Sequence, residues 1–166
     1  MIDFLLRIVG FILLALIQGL FLNQVNIMGY ATPIVFIFFL LTFRRNTPRV
    51  VLLLWGFAMG LVMDVFTNTP GVGATSCTLL GMLQPWLLEK FVPRDSADDL
   101  NPTIKQLGMV RFCGYLLLAT FIFYAVYYLL LVFSLAHRED ALINILGGTA
   151  LSFILMLGIN ALFRRP

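Results

Sequence analysis

The chain has 166 residues, 61% of them hydrophobic and only 11% charged, with a formal net charge of +3. Soluble domains carry about 25% charged residues, so the composition excludes a soluble globular domain and identifies a polytopic membrane protein. A spanning helix takes about 20 residues plus a connection, which gives room for about six spans and no sizeable soluble domain. The small basic excess is no nucleic-acid footprint, because most Lys and Arg sit in short loops where membrane orientation accounts for them.

The first predicted span covers about 4–22, with Arg7 placed to snorkel to the near interface. Ala15, Gly19 and Asn23 recur every four residues with Gln18 beside them, so one helix face is small and polar. Such a face lets helices approach closely and hydrogen-bond. The second span, about 31–43, is short, with Pro33 where a first helical turn tolerates proline. A re-entrant segment is the alternative there. Arg44, Arg45 and Arg49 cluster around Pro48 in the loop that follows.

The third span, about 50–66, places Gly56, Gly60 and Asp64 at i, i+4 and i+8 on one face. The chain then turns through Asn68, Thr69, Pro70, Gly71 and Gly73 into a fourth span at 72–91. Asp64 is the one residue that hydrophobicity cannot explain. A carboxylate near the bilayer centre costs roughly 2.5–3.5 kcal/mol, less near an interface, so a partner, a watery groove or a polar ligand is expected beside it. Within the fourth span, Pro85 is expected to kink the helix, and Ser76, Thr78 and Gln84 need hydrogen-bond partners in a dry interior.

Residues 92–108 form the only substantial polar segment, either a cytoplasmic contact surface or a solvated connection. The fifth span, about 109–136, is long enough to tilt, and Tyr124, Tyr127 and Tyr128 suit an aromatic belt towards its far end. A sixth span, about 141–163, repeats Asn144, Gly148 and Ser152 at intervals of four. With the N-terminus in the cytoplasm and six alternating spans, every Lys and Arg except Arg138 lies on the cytoplasmic side. That is a strong positive-inside bias. Asp64 and the 67–73 turn then face outward.

Catalytic constellations are nearly missing. An intramembrane aspartyl protease needs two carboxylates sharing a proton, and only Asp64 is placed for one. Ser134, His137 and Asp140 crowd into one short turn, which does not make a triad geometry. Cys77 and Cys113 give neither metal spacing nor a disulfide framework and read as buried thiols. No metal or cofactor is expected. The start of the fourth span has two readings: its bare amides hold an anion, or its own Asp64 or Thr69 caps it. The polar residues of spans 1, 3, 4 and 6, including Gln18, Asn23, Gln84 and Asn144, likewise line an outward cavity or serve as packing glue.

Gly60-Leu61-x-x-Asp64, the small-polar turn with Pro70, and glycine at the start of the fourth span together resemble the rod-shape-determining MreD family of bacterial inner-membrane proteins. The motif covers 14 residues (60–73), and the likeness in length and hydropathy covers the chain. This chain departs in its extra glycine, Gly71, directly after Pro70, which is expected to loosen the turn. The resemblance implies a non-enzymatic component of the cell-elongation machinery that organises peptidoglycan synthesis. Its implied partners are MreC, a single-span periplasmic protein, and the assembly containing MreB, a glycosyltransferase and a transpeptidase. It further implies an all-α fold with both termini inside, similar to the substrate-binding components of energy-coupling-factor vitamin transporters. Asp64, Thr69, Pro70, Gly71 and Gly73 would form the family's characteristic site near the outer face, holding a partner helix or a lipid-linked ligand. The alternatives are a substrate-binding transporter component for a small water-soluble molecule and a membrane scaffold without a pocket.

Overall fold

A computed structural model of the chain describes residues 2–19, 34–93, 100–134 and 141–162. Asn23 and the 135–140 turn with His137, Arg138 and Asp140 lie outside those residues. The described chain is all-helical: α1 (Ile2–Ile17), α2 (Ile37–Leu41), α3 (Arg49–Thr67), α4 (Val72–Phe91), α5 (Ile104–Leu107), α6 (Met109–Ser134) and α7 (Ala141–Leu162). Three of them are long and apolar enough to cross a membrane, over Arg49–Thr67, Met109–Val132 and Ile143–Ala161. The predicted third, fourth and sixth spans coincide with α3, α4 and α7 to within about a residue.

The central contact is an antiparallel pair of α3 and α4, with α6 on the other side of α4 and α7 on α6. Its closeness follows from the glycine face. A Cβ at Gly56 would stand 2.7 Å from the Cys77 carbonyl oxygen, and one at Gly60 would overlap the Gly73–Ala74 backbone. Both glycines are buried. Gly81 reciprocates from α4, where a Cβ would meet the Leu52 carbonyl oxygen at 2.9 Å. α4 continues unbroken through Pro85.

The second span departs from expectation. Within its described part, residues 34–43, helix is confined to the five residues of α2. Every apolar residue from Ile34 to Phe43 is buried, so the segment is a central strut wrapped by α1, α3, α4 and α6 rather than a lipid-facing helix. A helix this short leaves backbone groups unpaired at both ends, and side chains from four other helices supply the partners. At its start, the Ile34 N–H faces the Tyr124 hydroxyl at 3.0 Å and the Ser152 hydroxyl at 2.8 Å. The Val35 N–H donates to Gln18 Oε1 at 2.9 Å. At its end, the Tyr115 hydroxyl donates to the Leu41 carbonyl at 3.2 Å, and Gln84 Nε2 to the Phe43 carbonyl at 3.4 Å. Gln84 Nε2 also donates to the Tyr115 hydroxyl at 3.2 Å. Irregular backbone at membrane depth is tolerated where protein buries it and its polar groups are paired.

Rings lock the same strut from α1 and α3. Phe39 lies 6.1 Å from Phe11 and 5.3 Å from Trp55, and the Arg7 guanidinium sits 4.4 Å above the Phe43 ring. The expected tyrosine belt is corrected as well. Tyr124 and Tyr127 are buried and Tyr128 is partly buried. Tyr124 faces inward because α7 is flat opposite it: a Cβ at Gly148 would meet its ring at 2.5 Å.

The polar 92–108 segment is in part folded onto the bundle. Leu100 and Leu107 are buried, and the Leu100 carbonyl accepts from the Arg45 N–H at 3.1 Å. Its second half is therefore neither a solvated connection nor wholly a free surface; residues 94–99 lie outside the described residues. Cys77 is buried, whereas Cys113 is only partly so.

Candidate functional site

Asp64 stands in the last turn of α3 and is buried. α3 ends at Asn68, whose left-handed conformation (φ 54°) is one that asparagine tolerates. The chain returns through Thr69 and Pro70 to Gly71, where φ is +87°. That value favours glycine. Gly71, the glycine expected to loosen the turn, takes up this left-handed conformation and donates its N–H to Asp64.

The geometry of this turn delivers four amides to one carboxylate and one carbonyl. A helix N-terminus leaves four N–H groups without intrahelical acceptors. For α4, with Gly71 as its cap, these are the amides of Gly71, Val72, Gly73 and Ala74. The Gly73 N–H donates to Asp64 Oδ1 at 2.6 Å; those of Gly71 and Ala74 donate to Oδ2, both at 3.0 Å. The Val72 N–H donates to the Thr69 carbonyl at 3.2 Å. The set is closed. Thr69 Oγ approaches Asp64 Oδ1 at 3.3 Å and Thr67 Oγ at 2.6 Å, and the Thr67 hydroxyl donates to the Met63 carbonyl at 2.9 Å. Of the two sequence readings of this terminus, the geometry selects the cap: the place an anion would take is filled by the chain's own carboxylate, which the helix dipole also favours. Gly73 must be glycine for the same reason, since a Cβ there would stand 2.8 Å from Asp64 Oδ1.

No protein-family model, curated protein or solved structure matches the chain.

Beside this clamp, separated from it by the Thr67–Thr69 turn, lies a cavity of about 380 Å³. It is bounded by α1 and the turn that continues it (Phe11, Ala15, Gln18), the strut (Ile34, Phe36), α3 (Met59 to Thr67) and α6 (Tyr127, Tyr128, Leu131). The Tyr127 hydroxyl faces those of Thr67 and Thr69. This differs from the cavity expected from sequence in two ways. Among the described residues, Asp64 does not line it, and none of the lining residues comes from α4 or α7.

The candidate residues thus divide into groups. Gly56, Gly60, Asp64, Thr69, Gly71 and Gly73 come together at the α3–α4 junction, with Pro70 exposed on the turn. Gln18 lines the cavity while holding the strut. Gln84 holds the strut at its opposite end, away from the clamp. Asn144 is apart from all of these; its Oδ1 is buried and has no hydrogen-bond partner among the described residues. Sequence reasoning missed Tyr115, Tyr124 and Tyr127 as internal hydrogen-bonding groups. Ser152 was visible as part of a four-residue repeat, but its partner was not.

Proposed function

We propose that this protein is a non-enzymatic, six-span component of the bacterial inner membrane, with both termini inside, acting in the cell-elongation machinery as MreD proteins do. The observation that carries the proposal is the 60–73 module. Three of the residues that carry the resemblance build the clamp: Gly60 admits α4, Asp64 caps it, and Gly73 leaves space for the carboxylate. A carboxylate with both oxygens occupied by backbone N–H groups is a fastening, not a proton donor or a metal ligand, which supports a structural role for the motif. Six spans count α1, the strut with the residues before it, α3, α4, α6 and α7. The basic residues then fall on the cytoplasmic side apart from Arg138, and the clamp and cavity face outward.

Association with a single-span partner of the MreC type is supported by a shallow groove on the lipid-facing side of α3 and α4. Gly71, Ala74 and Thr78 floor it, and Phe57, Leu61 and Met82 flank it. Small residues flanked by large ones suit an apolar helix laid alongside. Through that partner the protein would join the assembly of MreB, glycosyltransferase and transpeptidase. The cavity favours a second reading, a substrate-binding transporter component, because its volume suits a small molecule; its largely apolar walls suit a water-soluble solute poorly.

The test is replacement in a rod-shaped bacterium depleted of its own MreD. This chain, supplied with its cognate MreC, should restore rod shape and co-purify with that partner. Round cells with no partner recovered, despite normal membrane levels of the protein, would overturn the proposal.

A further inference from the structure

The cavity beside the clamp changes character along its length, and helix register gives the direction. Its α3 wall runs from Met59 to Thr67, eight residues or about 12 Å. Its α1 wall runs from Phe11 to Gln18 in the same sense, since Gly19 packs against the Phe66 ring. Phe11 and Met59 therefore stand at the deep end, and Gln18, Thr67, Thr69 and Tyr127 at the rim. None of the described lining residues is charged, and the nearby carboxylate of Asp64 is committed to α4.

These features sort ligand classes. An ion would lie in this chamber without a counter-charge, at a large desolvation cost. A sugar-like or vitamin-like solute would set polar groups against Phe and Met side chains with no hydrogen-bond partner. Protein interiors are ordinarily packed without voids of this size, and an apolar chamber next to a hydroxyl-bearing rim suits a ligand of matching polarity. Its 380 Å³ falls within the usual range for small-molecule pockets.

We infer that the cavity binds an uncharged amphiphile, with its hydroxyl-bearing head at the Thr67–Thr69–Tyr127 rim and a slender apolar chain reaching between α1 and α3 to Met59. The inference rests on the membrane orientation proposed above, which turns the rim outward, but not on the identity of the partner. α1 forms the wall towards the bilayer; its far side carries exposed Val9, Ile12, Leu13 and Leu16.

The test uses the full chain in nanodiscs of phosphatidylcholine and an alkyl glucoside bearing a diazirine midway along its chain, with label sites mapped by peptide mass spectrometry. Label should appear on Met59, Val62 or Phe36. Ala15→Phe, which fills the chamber from α1, should lower that label about tenfold or more. Tyr127→Phe should lower it about fivefold, the equivalent of one hydrogen bond, and a sulfate-headed probe of equal chain length should label less than the glucoside. Labelling at Val65, which faces away and is 81% exposed, should not change, showing equal delivery of the probe, and an unchanged circular dichroism spectrum and melting temperature show that the variants remain folded. Label confined to lipid-facing positions such as Val65, label at Met59 unaffected by Ala15→Phe, or displacement of the probe by free glucose would each overturn the inference. Co-purification with the single-span partner is scored separately. Labelling without partner capture leaves the inference standing and counts against the elongation role, whereas capture without labelling sinks the inference alone.

Discussion

Two regions of this molecule solve one problem in opposite ways. At the α3–α4 junction and in the 34–43 strut alike, backbone groups with no secondary-structure partner are buried and must be paired. At the junction the solution is local: one carboxylate serves amides seven to ten residues further along the chain. In the strut it is distributed. Gln18, Gln84, Tyr115, Tyr124 and Ser152 arrive from four helices across separations of 17 to 118 residues. The local solution depends on a single side chain and is therefore fragile. The distributed one has overlapping partners, since the Tyr124 and Ser152 hydroxyls lie 2.7 Å apart and both reach the Ile34 N–H.

That contrast can be broken experimentally. The largest effect is expected from Asp64→Ala, which strips the Gly71, Gly73 and Ala74 amides of their acceptor. Gly71 is exposed to solvent, so the penalty falls on the buried Gly73 and Ala74 amides; at about 1–3 kcal/mol for each, the loss is about 2–6 kcal/mol, measured by unfolding in mixed detergent micelles. Asp64→Asn, which keeps one acceptor oxygen, should lose less. Gly60→Ala comes next, at about 3 kcal/mol, because the added methyl must push apart two backbones rather than a flexible side chain. In the strut, Tyr124→Phe and Ser152→Ala should each cost under about 1 kcal/mol, while the double variant leaves the Ile34 N–H unpaired and costs about 1–3 kcal/mol. The excess over the sum is the signature of redundancy; strict additivity would mean that the two hydroxyls do not substitute for one another. The smallest effect, within about 0.5 kcal/mol, is expected for Leu54→Ala, an exposed residue on the lipid side of α3.

The same contrast explains what the amino-acid sequence discloses. α3 and α4 were legible almost to the residue, because Pro48 precedes one and the Asn68-Thr-Pro-Gly turn separates them. The glycine face and the capping reading of Asp64 were legible for the same reason: donor and acceptor lie within one turn of chain. The strut was not legible. Hydropathy reads residues 31–43 as a short span with a re-entrant segment as the alternative, and nothing local marks Ile34–Phe43 as a segment enclosed on all sides by the described helices. Tyr124 and Tyr127 misled in the same way, since an aromatic residue near a membrane interface and one turned inward to bond a buried hydroxyl or amide carry the same letter. The cavity follows from this error. Its walls are set by where the strut and α6 lie, so the sequence placed Asp64 in it and left Tyr127 out.

The claim most open to direct test is that the Asp64 carboxylate is spent on the amides that begin α4. Hydrogen exchange of the Gly71, Gly73 and Ala74 amides, followed by NMR in the wild type and in Asp64→Ala, measures this. With the carboxylate so committed, exchange at Gly73 and Ala74 is slow in the wild type and faster by about a hundredfold in the variant, with amides in the middle of α6 unchanged. Fast exchange at Gly73 and Ala74 in the wild type, or slow exchange that persists without the carboxylate, would contradict it.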